Sequence, residues 1–227
     1  MESTLFQIIA KRSERFLHQK RDRIHSLRSS QQSATPVEKP YKNGKPLKDF
    51  LGIPCKKVTF KIPPKEEREA MRLEFEMEKR AEFVKYLAKT QKDALIQAGI
   101  TPKQIEGMKK GFTPHGFNTH HKLPIYGGGT NDFSNLVLVR REPWHDMMHY
   151  HLINPQTKGI QEGQSRQIVI PDPKTPVFQP SPQYKFLEKW TKKGRRTYGK
   201  NKNISLQDVY DEVARRTMLT SAKNKGR

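Results

Sequence analysis

Six of the eight histidines fall between residues 112 and 152: His115, His120, His121, His145, His149 and His151. His145 and His149 are four residues apart, so on a helix both project from one face. Two imidazoles at that spacing can share one metal ion, although the same pair also suits a packed or solvated helix face. His120 and His121 are neighbours, and on a strand neighbours point to opposite faces. One can then hold an ion while the other takes a proton from water at a different point of the site. Asn135 offers a neutral amide able to orient an imidazole or the backbone. Gly127-Gly128-Gly129 permits unusual backbone angles and close approach of a phosphate. Three neutral imidazoles suit Zn, Ni, Co or Mn better than Mg, which prefers oxygen.

These side chains need a strand, a loop, a second strand and a helix in quick succession. The spacing predicts strand over 117–123, a Gly-rich loop over 126–134, strand over 135–139 and a helix from Pro143 to about Leu152. Before them, near-helical recurrence of Leu5, Ile9, Phe16, Ile24 and Leu27 predicts a basic helix over 3–28. Residues 29–57 read as a linker, with Pro36, Pro40, Gly44 and Pro46 as its breakers. Alternation of Val58, Phe60 and Ile62 predicts a short strand, and Met71, Phe75, Val84, Leu87, Ala88 and Leu95 predict one long helix over 65–98. Thr101-Pro102-Lys103-Gln104 is a capping sequence opening a short helix to Lys110. Beyond 153 the chain turns basic and Pro-rich, with a short strand at Ile168–Ile170, an extended stretch over 171–182, a basic run from Trp190 to Lys202 and a final helix over 206–219 capped by Ser205.

Composition limits what this arrangement can be. The chain has 227 residues, 44 Lys or Arg against 23 Asp or Glu, and a formal net charge of +21. Apolar residues make up 33%, below the roughly 45–50% of ordinary globular chains. A compact centre with polar flanks is expected. Such a charge points first to nucleic acid and second to an acidic protein or an anionic surface. Cys55 is the single cysteine, which excludes an internal disulfide and a cysteine-rich zinc site. The sequence has no apolar run long enough to span a membrane, and Met1–Phe16 lacks the layout of a standard secretory signal.

The run from His120-His121-Lys-Leu-Pro-Ile-Tyr-Gly-Gly-Gly-Thr-Asn through Asn135-Leu-Val to His145-x-x-x-His149 resembles the HNH nucleases, a ββα-metal family. The likeness is nearest to the DNase domains of colicins, S-type pyocins and related bacterial toxins, and it covers residues 112–152. It implies an α+β fold with a small ββα-metal core and flanking, mostly helical basic segments. It also implies His120, His145 and His149 as ligands of one divalent ion (Zn, Ni, Co, Mn or Mg), His121 as the general base and Asn135 as the residue orienting base and loop. Lys122, Arg140 and Arg141 are the phosphate-binding candidates. His115 and His151 fall outside the pattern.

Three functions follow as expectations. The first is a toxin or effector endonuclease hydrolysing DNA, or alternatively RNA, with little sequence choice. It would be kept harmless in the producing cytoplasm by an acidic immunity protein and delivered to a target cell without a classical signal. The second is a housekeeping, phage or mobile-element HNH nuclease. The third is a non-catalytic nucleic-acid-binding protein with a structural metal. The Lys and Arg are spread along the chain, which fits diffuse contact with a phosphate backbone.

Overall fold

The computed structural model describes residues 41–42, 45–188 and 208–216. The chain divides into two units, Met1–Val37 and Glu38–Arg227, and the described residues all belong to the second. The predicted helix over 3–28, the start of the predicted linker, the basic run from Trp190 and the Ser205 cap lie outside the described residues.

The fold mixes helix and sheet, as expected for α+β. Two short strands, β1 (Tyr41–Lys42) and β2 (Lys45–Pro46), pair with each other. A three-stranded antiparallel sheet runs in the order β3 (Asp49–Phe50), β4 (Ile53–Lys61), β7 (Ser165–Pro171). Four helices follow β4: α1 (Lys65–Glu74), α2 (Arg80–Thr90), α3 (Lys92–Gln97) and α4 (Pro102–Lys109). The chain then forms an antiparallel hairpin of β5 (Phe117–His121) and β6 (Leu136–Arg140). Wide π-type turns over Arg141–His145 and Met148–Ile153 lead into α5 (Asn154–Thr157). Glu142 is still extended at φ −119° and ψ 132°, so the helical course starts at Pro143, as predicted. Among the described residues no helix is long and apolar enough to cross a membrane.

Among the described residues the β5–β6 hairpin is packed on both faces. Leu136, Val137, Leu138 and Val139 are all buried, the pattern of a strand covered on both faces. Val137 and Val139 face Trp144, Met147, Met148 and Leu152 of the helical segment that follows. Leu136 and Leu138, with Phe117, face Phe83, Val84 and Leu87 of α2 and Ile105 and Met108 of α4. The outer edge of β6 is capped by the extended Pro-rich segment: Leu138 donates to the Pro176 carbonyl at 2.9 Å and Phe178 donates back to Leu138 at 2.8 Å. Covering an edge in this way removes a site for unwanted strand pairing.

Three sequence expectations are corrected. The linker does not extend to residue 57. Phe50, Leu51 and Ile53 are core residues, and a tight turn with Leu51 at φ 56° and Gly52 at φ 78° joins β3 to β4. The local apolar signal was too short to register as strand because half of it lies in the turn. The short strand expected at Ile168–Ile170 is present but longer: β7 pairs with β4 along seven residues, from Cys55↔Pro171 to Lys61↔Ser165. The long helix over 65–98 is interrupted once. Helical backbone runs from α1 through a π-type turn over Phe75–Lys79 into α2, and Gln91, at φ −126° and ψ 29°, separates α2 from α3. The predicted short helix keeps its cap: Thr101 Oγ1 accepts from Gln104 N at 3.3 Å, and Gln104 Oε1 accepts from Thr101 N at 3.0 Å.

Gln156 ties the helical segment to the sheet. Its amide donates to the carbonyls of Leu152 and Val169 at 2.9 and 2.7 Å and accepts from Val169 N at 2.7 Å, all in a buried setting. Replacing it by leucine leaves both Val169 backbone groups without these partners, at about 1–3 kcal/mol for each group left unsatisfied. We expect urea denaturation of Gln156→Leu to show at least about 2 kcal/mol lost stability, with an unchanged m-value.

Candidate metal centre

His120, His145 and His149 converge at the interface between the hairpin and the helical segment. Period-two alternation in β5 turns His120 toward the Val137–Val139 face and His121 toward the opposite one. Trp144, Met147, Met148 and Leu152 bury the helical segment against the hairpin, which leaves His145 and His149 beside His120. Their ring centroids lie 5.1 Å (His120–His145), 5.0 Å (His120–His149) and 4.6 Å (His145–His149) apart. One ligand nitrogen from each falls within 4.8 Å of the others, so the three form a group that could hold a metal ion.

The chemistry of the cluster fits a cation. His120 is 7% exposed, and its Nε2 is buried with no hydrogen-bond partner. An orphaned buried ring nitrogen is costly unless something occupies it. Burial drives the His120 imidazole well below its ordinary range, and the nearby His149, His145 and His121 add to the effect. Burial, then His145, pushes His149 down to about 4. The cluster therefore disfavours protonation of these two rings near neutral pH and presents them as neutral ligands, the form metals require. Asp146 Oδ1 lies 3.5 Å from His145 Nδ1.

His121 lies on the other side of the strand. Its Nε2 is 2.9 Å from Asn131 Oδ1, and its ring packs 4.5 Å from Phe75. Burial lowers its pKa; the Asn131 hydrogen bond opposes the shift, and the positive charge of Arg72 adds to it. The amide that meets His121 is thus that of Asn131, whereas Asn135 was expected to orient the base. The Asn135 side chain is spent on the loop. Its Oδ1 accepts from Leu123 N at 2.9 Å, and its Nδ2 donates to the carbonyls of Leu123 and Thr130 at 3.0 and 2.9 Å. The glycines of that loop also serve packing. A Cβ at Gly127 would overlap the Phe60 ring, and one at Gly129 would overlap the Leu123 carbonyl oxygen.

The predicted phosphate contacts divide. Lys122 Nζ lies 3.2 Å from Asp172 Oδ1, with its side chain only 13% exposed. Burial works to raise the Asp172 pKa, but hydrogen bonds from Lys56 and Lys122 hold it below the usual carboxylate range. Arg140 donates to the Ala98 carbonyl at 2.8 Å, lies 3.7 Å from Glu188 and sits over the Phe117 ring. Both cations are committed to the fold. Arg141 is exposed, with one hydrogen bond to Asn118 Oδ1 at 3.3 Å. His115 is exposed, half-buried His151 stands outside the cluster, and Trp144 is buried with its indole N–H on Glu188. Sequence reading missed Asn131 and Arg72. Asn131 meets Met71 and Glu74 across 60 and 57 residues, a separation with no local signature, and Arg72 is one of many basic residues in a charged helix.

No family model matches the chain, and no solved structure matches it. Among curated proteins it is similar to the uncharacterized protein YhhZ of Escherichia coli (strain K12), with 34% identity over 115 residues. That match takes in 51% of this chain and 28% of YhhZ, so the chain spans well under a third of the relative's length.

The histidine cluster has a measurable signature in the metal-free protein. An unfolded imidazole titrates near ~6.5 and native His149 near about 4. Between those values the unfolded chain binds more protons than the native one, so stability falls as pH drops from the upper value to the lower. This ring contributes about 3 kcal/mol at most to that loss. Calorimetry in EDTA should show the melting temperature falling over this window, with a shallower fall in His149→Gln. Saturating zinc should raise the melting temperature by an amount equivalent to about 3–4 kcal/mol at 100–1,000 times its dissociation constant. His120→Ala should lose that response.

Proposed function

We propose that this chain is a metal-dependent endonuclease of the HNH type that hydrolyses DNA with little sequence choice. The observation that carries the reading is the paired placement of His120 and His121. One ring is buried with an unpartnered nitrogen in a three-histidine cluster. The next is held at its Nε2 on the opposite face of the same strand. A structural metal site has no use for the second arrangement, whereas hydrolysis needs both an ion and a base.

A divalent ion held by His120, His145 and His149 would supply Lewis-acid stabilisation to the oxygens of the scissile phosphodiester. His121 accepts a proton from the attacking water through its Nδ1. The water oxygen forms a bond to phosphorus, the bond from phosphorus to the 3′ oxygen breaks, and the departing oxygen takes a proton from solvent. Arg72, whose charge is felt at His121, and Arg141, both exposed, are the cations left to bind the phosphate backbone. The charge of +21 supports a polyanionic substrate bound through phosphates, with affinity falling steeply as salt rises.

The biological reading that fits is a toxin or effector nuclease opposed by an acidic immunity protein, which would pair with so basic a chain quickly and tightly. A metal of the Zn, Ni, Co or Mn group suits the all-imidazole ligand set better than Mg.

The deciding experiment is cleavage of supercoiled plasmid by the metal-stripped protein, adding back Mg, Mn, Co, Ni and Zn singly and running RNA in parallel. At least one metal should restore cutting. His121→Ala should cut about 100- to 10,000-fold more slowly while its zinc affinity is retained. A chain that cuts neither nucleic acid with any metal, or a His121→Ala variant as active as the parent, defeats this proposal.

A further inference from the structure

Asn131 is 7% exposed, and its amide is fully engaged. Nδ2 donates to Glu74 Oε2 at 2.7 Å and to the Met71 carbonyl at 2.9 Å. Oδ1 faces His121 Nε2 at 2.9 Å. A primary amide has two N–H donors and one carbonyl acceptor. A carboxylate and a backbone carbonyl both only accept, so together they claim both donors and fix which end of the amide is nitrogen. The reversed amide would set its oxygen against those two acceptors.

With the amide fixed, only a donor can meet Oδ1. His121 Nε2 must carry the proton, and in a neutral imidazole Nδ1 then holds the free lone pair. Both anchors of the amide come from α1. Glu74 is its last residue, immediately before the π-type turn that begins at Phe75, and Phe75 packs against the His121 ring. Wide helical turns of this kind recur where a functional group must be re-aimed.

The geometry points to Asn131 as a positioning residue: seated by Glu74 and the Met71 carbonyl, it locks His121 in the Nε2–H tautomer and reserves Nδ1 as the nitrogen that takes the proton from water. This inference rests on the nuclease reading for its catalytic consequence but not for the tautomer itself. It also makes α1, which lies outside the hairpin and its helix, part of the active site.

The test uses the full-length chain labelled with 15N-histidine. Long-range proton–nitrogen spectra report the tautomer of each ring, and His121→Gln assigns the signal. The parent should show His121 in the Nε2–H form alone, and Asn131→Ala should show the two tautomers mixed. In plasmid cleavage, Asn131→Ala should lower kcat about 10- to 100-fold with little change in KM or zinc affinity. Asn131→Asp should be as poor, because it sets a carboxylate oxygen against both Glu74 and the Met71 carbonyl. Glu74→Gln keeps an oxygen able to accept from Asn131 and should retain both tautomer and rate. A parent His121 in the Nδ1–H form, or an Asn131→Ala variant that melts like the parent and keeps the parent's spectrum, would overturn the assignment. If the parent cuts no nucleic acid, the nuclease reading fails, and the spectra still decide the tautomer.

Discussion

The alternation of side chains along β5 is the constraint on which the rest depends. Two adjacent histidines with different environments require a strand, because only a strand sends neighbours to opposite faces. Each face must then be closed by its own structure. The helical segment from Pro143 closes the His120 side, and the α1–α2 pair with α4 closes the His121 side. The unbroken run of Leu136 to Val139 is the sequence mark of this arrangement, since a strand with one wet face would alternate.

Cation placement follows from the same layering. A chain with so large a positive charge needs some of its Lys and Arg for itself. Arg140 bridges layers through the Ala98 carbonyl and Glu188, and Lys56 and Lys122 share Asp172. Of the three basic residues nearest the histidines in sequence, Arg141 alone stays exposed. Proximity along the chain was a poor guide to which charges face outward, because β6 ends inside the molecule and the sequence does not mark where it emerges.

Much of the centre was legible beforehand. The two hairpin strands, the start of the helix at Pro143, the capped α4 and the shared face of His145 and His149 are written in local spacing and residue type, whereas the choice of His120 as their companion came from the family resemblance. What escaped was long-range. The partner of β4 is β7, over a hundred residues away, and a two-stranded pairing leaves no periodic trace in either strand alone. The π-type turn at Phe75 escaped because a wide turn preserves helical residue preferences and only changes their phase. Asn131 was hidden among loop residues, and the more conspicuous Asn135 proved to be the loop's own clasp.

The pairing of β4 with β7 has a bearing on synthesis. Every histidine of the cluster lies between these two strands in the chain, so a ribosome finishes the last of them before it has made residue 165. At that moment β4 lacks its partner, Gln156 has no Val169 to hold, and the segment that covers the edge of β6 is still to come. The nascent chain thus carries all three rings of the cluster before it has the sheet and edge cover that press their supports together. Arrival of the last strand times the centre's maturation, so the order of the elements in the chain delays its assembly.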